Sequence, residues 1–107
     1  MANCIFCNII KSNHESIIYQ NSELVVLPDI RPKAPVHLLI IPKKHIINLK
    51  DIKHENNNLL YNVFLVINKI CKIIKINNDF KIVVNNGKNA GQEVFHLHFH
   101  FLSFNNK

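Results

Sequence analysis

The sequence predicts an α+β fold: a five-stranded, mostly antiparallel sheet with one short and one long helix. Two observations predict it. Three short apolar or alternating runs precede one long helix-periodic stretch, and two more follow it. No βαβ alternation is present, and with only two glycines the chain carries neither a Gly-x-Gly-x-x-Gly turn nor a P-loop.

Taken in order, residues 4–11 (Cys-Ile-Phe-Cys-Asn-Ile-Ile-Lys) suit a short amphipathic helix. Residues 16–20 and 23–28 read as two strands joined by Asn21-Ser22, a polar two-residue turn. Pro28, Pro32 and Pro35 punctuate a loop. Val36 to Ile41 is apolar and β-branched, a buried strand that Pro42 ends. Residues 54–76 form the long helix, with Leu59, Val63, Ile67, Ile70 and Ile74 as its buried stripe. Residues 80–85 read as a central strand, Asn86-Gly87 as a turn, and residues 94–103 as the last strand.

The bulk properties bound the function. At 107 residues and 48% apolar content, one domain spanning 1–107 can pack a core without disulfides. Three cysteines, an odd number, argue against a disulfide framework, and no signal segment or 18-residue apolar run is visible. A reduced, cytoplasmic protein with no membrane partner is expected. The net charge of +6 favours anionic ligands. Its lysines are dispersed, with no basic run of five, so no nucleic-acid partner is expected.

The chemistry is concentrated in Phe95-His96-Leu97-His98-Phe99-His100. In a strand, alternate side chains share a face, so three imidazoles line one side and Phe95, Leu97, Phe99 and Phe101 the other. Imidazoles spaced about 7 Å apart along a strand can converge on one phosphate or one metal ion. Their mutual repulsion disfavours the charged forms. Two chemistries compete for such a face: zinc chelation, and attack of an imidazole on phosphorus. The preceding loop, Asn85 to Glu93, holds both glycines, which permit close backbone approach to an anion. Within it Gly91-Gln92 is expected to contact ligand. A separate pair, Cys4-x-x-Cys7, supplies half of a tetrahedral zinc site.

The run His96-Leu97-His98-Phe99-His100-Phe101-Leu102 resembles the His-φ-His-φ-His-φ-φ signature of the histidine triad (HIT) superfamily. Gly91-Gln92-Glu93-Val94-Phe95 resembles the segment that precedes it in the Hint-like branch. Asp29-Ile30, Pro35-Val36-His37 and Ile41-Pro42-Lys43-Lys44-His45-Ile46 resemble that branch's other block, and Val83-Val84-Asn85 also fits. The resemblance implies the HIT fold and a homodimer that joins two five-stranded sheets. It implies a purine nucleotide phosphoramidase or nucleotidyl hydrolase acting at the α-phosphate through a covalent nucleotidyl-histidine. His98 would be the nucleophile, His100 would hydrogen-bond the phosphate, and His37 would support that side of the site. Asp29 would bind the ribose hydroxyls with Ile30 near the base. Asn85, Gly91 and Val94 would line the phosphate region, with Gln92 and Glu93 in the same nucleotide-binding segment. No cofactor is implied for catalysis. A structural zinc held by Cys4, Cys7, His45 and His96 would fix the N-terminal helix to the sheet, away from catalysis. Two rivals stand beside this reading: a nucleotide-binding regulatory module with little turnover, and a zinc-binding protein whose triad holds the metal. The chain departs from several Hint-like enzymes at Glu93, where they carry Ser or Thr.

Overall fold

The structure, a computed structural model, describes residues 3–76 and 79–104. The expected α+β architecture is present. Helix α1 (Ile5–Ser12) is followed by β1 (Tyr19–Gln20), β2 (Leu24–Pro28) and β3 (Val36–Pro42). The long helix α2 (Leu59–Ile73) precedes β4 (Phe80–Val83) and β5 (Phe99–Ser103). The sheet is antiparallel throughout, in the order β1-β2-β3-β5-β4.

Strand parity divides the molecule. Leu24 and Val26 of β2, Leu38 and Ile40 of β3, and Phe99 and Phe101 of β5 pack under α2 against Leu59, Val63, Val66, Ile67 and Ile70. Phe80 of β4 stacks on Phe101 in the same layer. The opposite parity, Val25, Leu27, Leu39 and Ile41, forms a second cluster with Phe6 of α1. His37 and His100 belong to this α1-side parity, because Leu39 pairs with His100 across the β3–β5 ladder.

Several boundaries differ from the sequence reading, each for a local reason. The last strand begins at Phe99, not at residue 94. On the β2 side the backbone bonds of β3 use odd positions, as in Asp29 N–H to His37 O and Lys43 N–H to Glu23 O. Even positions therefore face β5. The next position after Ile40, which pairs with Phe99, is Pro42, which has no N–H to give. The ladder stops there, and the Leu97 N–H turns instead to the Ile46 carbonyl at 2.6 Å. Phe95, beyond the ladder, stands 46% exposed and does not join Leu97, Phe99 and Phe101 in the core.

The long helix begins at Leu59 rather than at residue 54, since Asn56 turns its side-chain oxygen back to the Lys53 N–H at 3.1 Å and closes a separate 3₁₀ turn. Ile74 caps the helix and, partly buried, still packs against the same core as the stripe. The first strand begins at Tyr19, because the Ser16 N–H bonds the His14 ring and the Ile17 N–H bonds the His14 carbonyl, although the Ile18 N–H still reaches the Val26 carbonyl at 2.8 Å. The strand expected over 80–85 ends at Val83, where Asn85 and Asn86 enter the glycine loop. Among the described residues no helix is long and apolar enough to cross a membrane.

Candidate functional site: two histidine clusters on one segment

The arrangement of His96 and His98 arises because β5 loses its neighbours just before Phe99. On the β4 side, even-numbered residues of β5 make the ladder bonds, Phe104 N–H to Asp79 O continuing the same parity. Continuing that register backwards would pair His98 with Asn85 and His96 with Gly87, but β4 has already ended. The His96 carbonyl is thus free for another donor. It accepts a bond from Nδ1 of His98 at 2.8 Å. A carbonyl only accepts, so Nδ1 of His98 carries the proton and Nε2 carries the lone pair. Phe6 packs edge-on against this ring, with centroids 5.1 Å apart, and the His100 ring lies 5.0 Å away. His98 is 9% exposed, so the free nitrogen sits in a mostly dry setting.

The first cluster joins His37 on β3, His100 on β5 and Asp29, which follows β2. The Lys33 backbone N–H donates to Nδ1 of His37 at 3.0 Å. That bond leaves the His37 proton on Nε2, which donates to Nδ1 of His100 at 2.9 Å. The His100 proton is in turn placed on its own Nε2. A single backbone amide thus sets the tautomer of two rings in series. Asp29 Oδ2 lies 3.4 Å from the His37 Nε2 and 3.9 Å from the His100 Nδ1, while Oδ1 accepts the Arg31 N–H at 2.8 Å. Burial, then the neighbouring His98 and His37 rings, hold the His100 pKa down to about 4. The Asp29 carboxylate pulls the other way and is outweighed. Burial also lowers the His37 pKa against the same carboxylate. Both rings are therefore neutral hydrogen-bonding groups at neutral pH.

The second cluster joins Cys4 and Cys7 at the start of α1 with His45 and His96. Nε2 of His96 donates to the Pro42 carbonyl at 2.7 Å, so its Nδ1 holds a lone pair that points at Cys4 Sγ, 3.2 Å away, and Cys7 Sγ, 3.5 Å away. His45 Nδ1 lies 3.2 Å from Cys7 Sγ. All four donor atoms fall within 4.8 Å of one another. Burial raises the Cys7 thiol pKa, with Cys4 adding to the rise, and burial lowers that of His96. Two sulfurs and two imidazole nitrogens at these separations suit a tetrahedral thiophilic ion such as zinc. The Pro42 carbonyl is the kind of outer partner that fixes a ligating imidazole.

The structure brings together Asp29, His37, His98 and His100, and separately Cys4, Cys7, His45 and His96. It places Asn85 beside the Gly91 backbone, where an added Cβ would lie 3.7 Å from the Asn85 Cγ. Gly87 and Gly91 both have positive φ, 97° and 96°, which the tight loop requires. Gln92 does not offer its amide to a ligand. Its Oε1 accepts the Gly87 N–H, and its Nε2 donates to the Ile47 and Val94 carbonyls, so it braces the loop. Val94 packs on the α1-side cluster. Ile30 is 88% exposed. Glu93 is exposed on a cleft of about 590 Å³ that is also lined by Cys4, Ile5, His45 and Val94.

One expectation is corrected. The Cys/His cluster is not remote from the triad, since Phe6, between the two cysteines, contacts both His96 and His98. Phe6 is the residue that the sequence reading missed. Its position inside Cys4-x-x-Cys7 was the available signal.

Comparison with known proteins agrees with this fold. Residues 3–107 match the family described as scavenger mRNA decapping enzyme C-term binding. The chain is 43% identical to Protein HitA of Neisseria gonorrhoeae over 103 residues, covering 95% of this chain and 96% of the relative. A solved HIT family hydrolase from Clostridium thermocellum is similar in structure, with a TM-score of 0.90 and 42% identity, covering 96% of this chain and 91% of that one. A zinc-bound histidine triad family protein from Mycobacterium smegmatis superposes with a TM-score of 0.80 at 31% identity, covering 98% of this chain and 77% of that one. On fold, motif and relatives, the chain belongs to the histidine triad superfamily.

Proposed function

We propose that this chain is a hydrolase of purine nucleoside phosphoramidates and related nucleotides, acting at the α-phosphate through a nucleotidyl-His98 intermediate. The observation that carries the reading is the His98–His96 carbonyl bond, which leaves Nε2 of His98 as an unprotonated nitrogen nucleophile. Attack by Nε2 on phosphorus breaks the P–N bond and expels the amine, which takes up a proton from solvent. The positive charge that develops on the ring is stabilised at Nδ1–H by the His96 carbonyl. Water then attacks phosphorus, breaks the N–P bond and releases the nucleoside monophosphate. One hard displacement becomes two easier ones. His100, its Nδ1 satisfied by His37, presents Nε2–H as a donor to a phosphoryl oxygen. Asp29 has the two acceptor oxygens that a ribose cis-diol asks for, and Ile30 is free to meet the base. The backbone of the Asn85–Val94 loop, held by Gln92, lines the phosphate region, with Glu93 at the cleft where the leaving group would emerge. Names of solved relatives such as the Clostridium thermocellum HIT family hydrolase, and of the histidine triad nucleotide-binding protein from Candida albicans, support a nucleotide-directed hydrolase.

A structural zinc at Cys4, Cys7, His45 and His96 belongs to the same reading. When bound it supplies a cross-link between α1 and the sheet, and the zinc-bound Mycobacterium smegmatis relative supports it. A homodimer is also proposed. The outer edge of β4 has no strand partner among the described residues, and α2 exposes Tyr61 and Phe64, at 63% and 62%, beside Leu60 and Leu65.

The test is single-turnover hydrolysis of adenosine 5′-phosphoramidate by the protein and by His98→Asn. The variant is expected to lose roughly 10³-fold or more in rate while still binding AMP, as loss of a nucleophile does. A variant that turns over normally would remove His98 from the role. A protein that binds AMP without turnover would be the regulatory module instead.

A further inference from the structure

Cys4 and Cys7 are both partly exposed free thiols, and the 590 Å³ cleft reaches Cys4 and His45 from solvent. Their sulfurs lie within 4.8 Å of each other one helical turn apart, close enough for a short movement of the N-terminal turn to bring them to disulfide distance. Between them sits Phe6, whose ring edge is held against His98 at 5.1 Å and His96 at 5.8 Å. Phe6 is 6% exposed and belongs to the cluster under α1. The first turn of α1 therefore has two tasks at once. It carries two metal-type ligands, and it sets the wall behind the ring that the proposed function makes the nucleophile.

We propose that Cys4 and Cys7 are a peroxide-sensitive modification site whose oxidation to a disulfide detaches the N-terminal turn and withdraws Phe6 from His98. The oxidant is hydrogen peroxide or an alkyl hydroperoxide. The two sulfurs give two electrons to one peroxide, the O–O bond breaks, the S–S bond forms, and two protons complete two molecules of water (or water and an alcohol). A disulfide cannot serve as two thiolate ligands, so a zinc ion held there would keep only His45 and His96 and would be released. Cys71, on α2, packs against the core on the other side of the sheet, where it has no second thiol to pair with, and it takes no part.

The effect on turnover rests on the reading of His98 given above. The effect on thiols, metal and His98 environment does not. The experiment treats the full chain, purified without chelator, with hydrogen peroxide. Zinc release is followed with a chromogenic chelator, the peptide containing residues 4–7 by mass spectrometry, and the His98 ring by NMR. Adenosine 5′-phosphoramidate hydrolysis is measured in parallel. Expected are one zinc released per Cys4–Cys7 disulfide, a reduced Cys71, and His98 ring resonances shifted by loss of the Phe6 ring. Hydrolysis should fall about tenfold, the scale seen when outer support of a reacting group is removed. Dithiothreitol with zinc should restore each readout. Cys71→Ser should respond like the parent protein. Phe6→Leu, still reduced, should already show the shifted His98 resonances.

Oxidation confined to Cys71 would overturn the proposal. So would a Cys4–Cys7 disulfide that leaves the His98 resonances unmoved, or a Phe6→Leu variant with unchanged resonances. If untreated protein does not hydrolyse the phosphoramidate, the functional reading fails, while thiol state, zinc release and the NMR shifts still decide this one.

Discussion

His96 and His100 are close neighbours on one segment, yet their rings are wired in opposite senses. His96 gives its Nε2 proton outward to the Pro42 carbonyl and turns a bare Nδ1 toward two sulfurs. His100 has a bare Nδ1 too, but a proton donated by His37 occupies it, because the Lys33 N–H has taken the far side of His37. Both groupings, Cys4/Cys7/His45/His96 and Asp29/His37/His100, have the donor count and spacing of a metal centre. Only the first has a lone pair aimed at the centre by an outer acceptor. In the second, the outer partner is a donor and pushes a proton inward, where a metal would have to displace it. Ligand count alone does not separate a metal site from a hydrogen-bond relay; the polarity of the outer partner does.

This contrast can be broken at either end. The largest effect is expected from Cys7→Ser. It should abolish stoichiometric zinc and cost on the order of 3–4 kcal/mol of folding stability, seen as a fall in Tm of more than about 10 °C by calorimetry. His37→Gln should leave metal content untouched. If His37→Gln lost the metal, or Cys7→Ser kept it, the assignment of the two clusters would be reversed.

Acid sharpens the comparison next. Above pH 6.5 the His100 ring is neutral in both folded and unfolded chains. Between 6.5 and about 4 the unfolded chain binds a proton that the folded chain refuses, so stability falls as pH falls through that window. The loss from His100 is on the order of 2–3 kcal/mol by pH 4, and His37 shifts in the same direction. Urea titrations across pH 7 to 4 measure it. In His100→Gln the slope should be visibly shallower, and an unchanged slope would place the neutral ring elsewhere.

Breaking the relay itself should cost about 10- to 100-fold in turnover for His37→Gln, read as kcat with little change in KM. Smallest is Gly91→Ala. Its φ of 96° suits glycine, and an added Cβ meets Asn85 only at ordinary contact distance, so the cost is backbone strain of about 1–2 kcal/mol. Chemical denaturation should detect that cost, and a neutral substitution would mean that the loop relaxes.

The sequence made the sheet legible because its central strands are short apolar runs, buried on both faces between α1 and α2. The α2 stripe was legible from Leu59, Val63, Ile67 and Ile70, which are all buried. The gathering of His37, His98 and His100 was equally visible, since all three stand at positions that the resemblance names. The wiring was not. Which nitrogen of His98 bears the proton depends on where β4 stops, and that depends on Asn85 and Asn86 leaving the sheet. Asn86 is drawn away by the Leu49 N–H, 37 residues distant in sequence. Gln92 looked like a ligand contact because it stands next to the histidine strand. Its side chain bonds Gly87 and Val94 nearby, but the bond to the Ile47 carbonyl, 45 residues distant, is one that no local pattern contains.

Pro42 has a consequence that reaches past its own turn. Any amino acid with an amide hydrogen at that position would offer Leu97 a conventional partner and invite the two chains to zip on by another rung. The ring of His96 would then compete with a main-chain group for the same oxygen, and its inward-facing nitrogen would lose its guarantor. A single missing hydrogen atom keeps this stretch from becoming ordinary sheet.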